Sequence, residues 1–152
     1  MSRKALSTSL LSLIALAMVV GITFAQSPRT APSTEREQAS EGSPKVMAVY
    51  FHADWCGYCK QLGEKYVDLR NKFDDKPVLY VKLDQTTTSD RRQAKYMAHA
   101  LGMDSAWTEH GNKTGFILYV DGQTRRVLGR VTHDKSMGEI GSELEKALRD
   151  AS

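Results

Sequence analysis

Apolar and polar positions alternate along residues 45–152 with a period that switches repeatedly between strand and helix. Residues 46–52, Val-Met-Ala-Val-Tyr-Phe-His, are a nearly unbroken apolar run, the pattern of a central strand buried on both faces. From 57 to about 73 the period lengthens. Cys59, Leu62, Tyr66, Leu69 and Phe73 recur at spacings of three and four, which makes one stripe of an amphipathic helix. Asp74-Asp75-Lys76-Pro77 breaks it. Residues 78–83 form a second strand, expected to run parallel to the first through a right-handed crossover. Thr86-Thr87-Thr88-Ser89 supply a turn and an N-cap for a helix over 90–101, with Ala94, Met97, Ala98 and Leu101 turned inward and Gly102 as the stop. Residues 103–113 show no period and read as irregular. Residues 116–120 form a third strand. Asp121-Gly122 reads as a tight hairpin turn, and 124–131 as the partner strand, broken at Gly129. A last helix covers about 135–149, with Met137, Ile140, Leu144 and Leu148 on one face. The order β-α-β-α-β-β-α describes an α/β domain, a mixed sheet of about four strands flanked by helices.

The first 44 residues have a different character. Arg3 and Lys4 precede an apolar stretch over 10–22, and Thr23-Phe24-Ala25 offers small residues at the positions a signal peptidase needs. Residues 1–25 therefore read as a secretory signal peptide, which predicts a periplasmic or secreted protein. The apolar stretch is short for a membrane span, so membrane contact is expected only if the signal stays uncleaved. Residues 26–44 are rich in Ser, Thr, Pro, Glu and Gln and cannot bury apolar surface. They read as a flexible linker, with a possible helical turn over 34–39, before a domain over 45–152. Cleavage would remove Arg3 and Lys4 and bring the formal charge from +3 to about +1. That leaves no basic excess for phosphates, and nucleic acid is excluded as a partner.

The chemistry is concentrated in one place. Phe51-His52-Ala53-Asp54-Trp55-Cys56-Gly57-Tyr58-Cys59-Lys60 holds both cysteines of the chain, where a buried strand becomes the first turn of a helix. Unpaired N–H groups and the positive end of the helix dipole favour a thiolate there. The pKa of Cys56 should fall, and Cys56 is the expected nucleophile. Cys59 lies one turn further on, on the apolar stripe, and is the expected resolving thiol. A loop this short staples nothing distant, so a purely structural disulfide has little to offer. Two cysteines give half of a tetrahedral metal set, and no second Cys-x-x-Cys exists; no metal and no cofactor are expected. Lys60 is either an electrostatic helper or a solvated helix residue. Trp55 would shield one side of the pair. His52 could neighbour the site or merely pack, His110 could line a groove, and His99 and His133 read as surface residues. Trp107 reads as a packing anchor rather than a lid. Tyr50 and Tyr80 read as core residues whose hydroxyls could bond near Cys59.

Trp-Cys-Gly-Tyr-Cys-Lys, after an apolar strand and before an amphipathic helix, resembles the active site of the thioredoxin superfamily. The lead-in Phe-His-Ala-Asp-Trp-Cys is similar to secreted thioredoxin-like domains, in particular the C-terminal domain of the periplasmic transmembrane thiol-disulfide interchange protein. The resemblance covers roughly residues 45–148. It implies a thioredoxin-like fold in a near-minimal form, a monomer, and exchange of disulfides with protein partners supplied by an upstream redox partner. In the family a buried Asp stands six residues before the first cysteine and pairs with a Lys on the next strand; here those positions hold Tyr50 and Tyr80. A tyrosine is a poor proton acceptor at neutral pH. The family's cis-proline is matched by Thr114, whose hydroxyl could reach the cysteines. Catalytic Cys56 and Cys59, with Trp55, Gly57, Tyr58, Lys60 and Thr114 in supporting or substrate-binding places, are the residues carried over. The likeness to the interchange protein favours a reductant. The reading from another class is a non-catalytic binding or metal-chaperone module, favoured by the missing proline and the missing Asp–Lys pair.

Overall fold

The computed structural model describes residues 42–152. The expected signal segment and residues 26–41 of the expected linker, including the turn over 34–39, lie outside the described residues. Strand β1 (Val46–His52) occupies the middle of a four-stranded sheet of order β2-β1-β3-β4. Strand β2 (Val78–Asp84) runs parallel to β1, β3 (Phe116–Asp121) antiparallel to it, and β4 (Val127–Thr132) antiparallel to β3. β1 is therefore paired on both edges and covered on both faces, which is why its sequence is apolar without interruption.

The two faces of β1 feed two cores. Val46, Ala48 and Tyr50 face helix α1 (Gly57–Lys72) and the last helix, packing with Cys59, Leu62, Leu69, Phe73, Ile140 and Leu144. Met47, Val49 and Phe51 face the other way, towards Ala94, Ala98, Met103 and Ala106. Helix α2 (Thr88–Ala100) buries fully only Ala94 and Ala98, so apolar burial holds it weakly. A capping box between Thr87 and Asp90 adds on the order of 1 kcal/mol. The same device, Ser136 with Glu139, opens the last helix.

Four expectations change. Residues 103–113 are not irregular: Asp104–His110 is a helix, α3, and the last helix, Met137–Asp150, is α4. α3 has only two turns, no side-chain cap, and a buried stripe of Ala106 and His110, too polar to register as a period. Met97 is exposed, because the inward stripe settles on Ala94, Ala98 and Leu101 and leaves it at the edge. The hairpin is longer than two residues. Asp121 N–H donates to the Arg126 carbonyl (2.8 Å) and encloses residues 122–125. The left-handed residue is Arg125, at φ 62°, not Gly122. Gly122 is required for a different reason: a Cβ there would sit 1.7 Å from the Pro44 carbonyl oxygen. Lastly, β4 starts at Val127, and Gly129 pairs with Tyr119 inside the strand; the irregularity falls one residue away, at Leu128. Among the described residues, no helix is long and apolar enough to cross a membrane.

Candidate active site

The site begins where β1 gives out. Cys56 N–H donates to the Ala53 carbonyl (3.1 Å), closing a turn. Cys56 then serves as the N-cap of α1, in extended backbone conformation, with its Sγ accepting the Cys59 N–H at 3.3 Å. An oxygen of Ser, Thr, Asp or Asn usually does this; here a sulfur does. The first turn of α1 holds no acidic residue, so a Cys56 thiolate is the negative group that this helix terminus meets.

Cys59 is completely buried, whereas Cys56 keeps 8% of its surface exposed. Both are free thiols. The Cys59 thiol points to the Phe51 carbonyl (3.9 Å), which also accepts the Gly115 N–H (2.8 Å). That bond lays the loop before β3 against the pair. Gly115, at φ 85°, comes so close that a Cβ would lie 3.4 Å from Cys56 Sγ. Its neighbour Thr114 hydrogen-bonds both thiols. Burial pushes the Cys56 thiol up, but hydrogen bonds from Cys59, Thr114 and backbone N–H groups outweigh it and bring Cys56 below its ordinary value. Burial, and then the bond to Cys56, hold Cys59 above its ordinary value. One accessible thiol is thus biased towards the thiolate and one buried thiol towards the protonated form.

Around the pair the surface is aromatic. Trp55 is 68% exposed and its Nε1–H donates to the Thr86 carbonyl (3.2 Å), which fixes the ring. Tyr58 is also exposed and stacks on His133, with ring centroids 4.0 Å apart. Lys65 brings His133 there by donating to the carbonyls of His133 (2.6 Å) and Lys135 (2.7 Å). His133, read from sequence as a surface residue, therefore joins the rim, and no local signal marked it. Gly57 and Lys60 are exposed on α1; Gly57 has open space where a Cβ would stand.

Beneath the pair lies a polar chain. The Tyr50 hydroxyl donates to the Cys59 carbonyl (2.5 Å) and sits 3.1 Å from His52 Nδ1; His52 Nε2 lies 2.9 Å from Asp54 Oδ1. Burial, followed by the neighbouring Cys59, holds Tyr50 well above the usual phenol range. Tyr80 lies elsewhere, its hydroxyl 3.4 Å from the Leu69 carbonyl. Trp107 stacks over Phe51, and His110 packs edge-on to Phe116, both in the core on the far face of the sheet. His99 is exposed and pairs with Asp104. Among the described residues, no cluster of three or more His, Cys, Asp or Glu is placed to hold a metal ion.

A thioredoxin family model matches residues 31–99. A protein disulfide-isomerase of Schizosaccharomyces pombe is 36% identical over 86 residues, 56% of this chain and 23% of that protein. A thioredoxin of Geodia cydonium is 29% identical over 55 residues, 36% of this chain and 50% of that one. The chain spans between about a tenth and a half of the length of the curated relatives it matches. Among solved structures it is similar to a thioredoxin of Trypanosoma brucei brucei (17% identity, 78% of this chain and 88% of that one, TM-score 0.46). It is also similar to a thiol:disulfide interchange protein of Chlorobium tepidum (15% identity, 72% and 84%, TM-score 0.49). The family match, with the sheet order and the cysteine pair at the β1–α1 junction, supports a thioredoxin-superfamily domain with a thioredoxin-like α/β fold.

Proposed function

We propose that this thioredoxin-superfamily domain is a protein thiol–disulfide oxidoreductase, exported to a periplasmic or extracellular compartment and acting as a reductant. One observation carries the reading. Cys56 caps α1 with its own sulfur, biased towards the thiolate, while Cys59 waits one turn away, buried and biased towards the thiol. That difference matches a nucleophile and a resolving group. Cys56 attacks a protein disulfide, a mixed disulfide forms, and Cys59 displaces the reduced partner. Trp55, Tyr58 and the Thr114 loop supply the surface on which the partner docks. A separate upstream dithiol restores the pair.

The reductant direction is supported by what lowers Cys56. The leading contributions are neutral donors: the Cys59 thiol, Thr114 and two backbone N–H groups. Strongly oxidising pairs owe their potential to a heavily stabilised reduced form, and neutral donors stabilise a thiolate less than a cation does. Export rests on residues 1–25, whose basic start, apolar stretch and Thr23-Phe24-Ala25 carry the signal pattern.

The deciding experiment is a trap. With Cys59→Ser, the expressed protein should accumulate mixed disulfides through Cys56, visible as thiol-sensitive adducts. Equilibration of the wild-type pair against glutathione and dithiothreitol should give a potential near the thioredoxin end, roughly −270 mV. A value near −120 mV would reverse the direction. Absence of both adducts and reversible exchange would leave a binding module in place of an enzyme.

A further inference from the structure

Cys59 must lose a proton before it can attack, yet it is completely buried and held in its protonated form. Water has no direct route to it. Its neighbours therefore decide how fast the mixed disulfide resolves. A hydrogen-bonded path leads from the Cys59 backbone to solvent: Tyr50, whose hydroxyl donates to the Cys59 carbonyl and is acted on by the Cys59 thiol, then His52, then Asp54, whose side chain is 75% exposed.

The chemistry of this path has two settings. A carboxylate only accepts, so His52 Nε2 carries a proton towards Asp54. The Tyr50 hydroxyl has a single proton to place. When it donates to the Cys59 carbonyl, its oxygen can only accept at the shared contact, and His52 Nδ1 is the donor there. When the hydroxyl turns to Nδ1, that nitrogen accepts, and the Tyr50 oxygen keeps a lone pair for the nearby thiol. The same heavy atoms serve both settings.

We propose that Tyr50, His52 and Asp54 form a proton relay that takes the proton from Cys59 as it resolves a mixed disulfide, with His52 as the terminal acceptor. The proposal rests on the thiol–disulfide exchange reading and adds the step that reading lacks. Cys59 S–H passes its proton to the Tyr50 oxygen while Tyr50 O–H passes its own to His52 Nδ1. The Cys59 thiolate attacks Cys56 Sγ. The Cys56–Cys59 S–S bond forms, the Cys56–partner S–S bond breaks, and the partner's sulfur leaves with the bonding pair as a thiolate. The partner is reduced by two electrons and the Cys56–Cys59 pair is oxidised by two. The proton remains on His52, balanced by Asp54, until solvent or the leaving thiolate takes it. Tyr50 passes protons without ionising, so its reluctance to ionise is no obstacle.

The other groups around the relay are poor acceptors. Asp84 lies opposite His52 in the β1–β2 register. Burial would raise it, but bonds from Thr86 and Lys82 hold it at about 2, so it stays unprotonated at neutral pH. Lys82, opposite Tyr50, is occupied with Asp84. From α1 the facing groups are Cys59 itself and Tyr66, which burial keeps neutral. Cys56 is bonded to the partner during this step.

The test uses dithiobis-nitrobenzoate and the reduced protein, which should release nitrothiobenzoate in two phases: Cys56 attack, then Cys59 resolution. Tyr50→Phe, His52→Gln and Asp54→Asn should leave the first phase unchanged and slow the second at neutral pH. The expected slowing is between about tenfold and a hundredfold for the first two, the low end of what positioned proton transfer supplies, and less for Asp54→Asn. The slowed phase should rise with pH and converge on wild type where Cys59 ionises unaided. A second phase unchanged in His52→Gln overturns the relay, and so does equal slowing of both phases at every pH. Asp54 is exposed, so its variant tests the chain without disturbing the fold. A wild type that releases one equivalent and stops sinks the relay but leaves Cys56 reactive; one that releases none sinks the exchange reading as well.

Discussion

The two ends of the β1–β3 pair handle a buried acid in opposite ways. At one end stands Asp121, fully buried, its carboxylate oxygens accepting the N–H groups of Gln123 and Thr124 (2.8 Å each) and of Ser152 (2.9 Å). Burial would raise its pKa, but these three backbone donors hold it far below the usual carboxylate range. At the other end stand Cys56 and Cys59, which share a bond with each other and the Thr114 hydroxyl and take separate backbone N–H groups. Rigid main-chain donors, each committed to one oxygen, lock a charge in place. Donors shared between two similar acids leave the proton free to move. The first arrangement suits a clamp that ties Ser152 and the hairpin to the sheet, the second a site that must change state.

Substitutions should separate these ends, one losing chemistry and the other stability. The largest effect is expected from Cys56→Ser: disulfide exchange, followed by insulin reduction or nitrothiobenzoate release, should fall to background while the denaturation midpoint stays near wild type. Gly122→Ala should do the reverse. Its Cβ would meet the backbone carbonyl of Pro44, which cannot swing aside like a side chain, so about 3 kcal/mol or more should be lost in urea titration. Asp121→Asn comes next, at about 1.5–3 kcal/mol, because an amide offers one acceptor oxygen and turns its N–H₂ towards a donor. The Asp121 pKa is depressed by folding, so its contribution is present above the unfolded value of about 3.9 and lost as pH falls through the folded one. Acid titrations of wild type and variant should therefore begin to approach each other at about pH 3.9 and converge only as pH falls through the depressed folded value.

Smaller effects sharpen the redox end. Thr114→Val keeps the shape and removes a neutral donor worth about 0.5–1.5 kcal/mol. The Cys56 pKa, followed by thiolate absorbance, should rise by up to about one unit, and the first phase of exchange should slow several-fold at neutral pH. His133→Leu removes the ring stacked on Tyr58, for an expected loss of about 0.5–1.5 kcal/mol. That loss should appear in the affinity for a peptide disulfide rather than in the Cys56 pKa. If His133→Leu instead moved the pKa as far as Thr114→Val does, the rim and the proton-holding groups would not be separate parts of the site.

Much of this was legible along the chain. The stripe from Cys59 to Phe73 lies in one core, and the unbroken apolar run of β1 marks the central strand. α3 is not legible, because a helix of two turns that buries Ala106 and His110 leaves no apolar period. The glycine of Asp121-Gly122 was legible as a turn residue, but its reason was not. It answers the Pro44 carbonyl, a group about eighty residues away that only the folded chain brings near.

The sequence by itself determined the order of the four strands and the three longer helices, the mixed sheet and the position of Cys56 at a helix start, because each depends on contacts within a few residues or on a repeating period. The tertiary structure alone decided which groups share the thiols' protons. Thr114 and Gly115 reach the pair through the Phe51 carbonyl, His133 reaches Tyr58 through Lys65, and Tyr50 turns beneath Cys59 because β1 packs against α1. A proton's position depends on atoms within a few ångströms, and those atoms come from segments that meet only when the sheet closes.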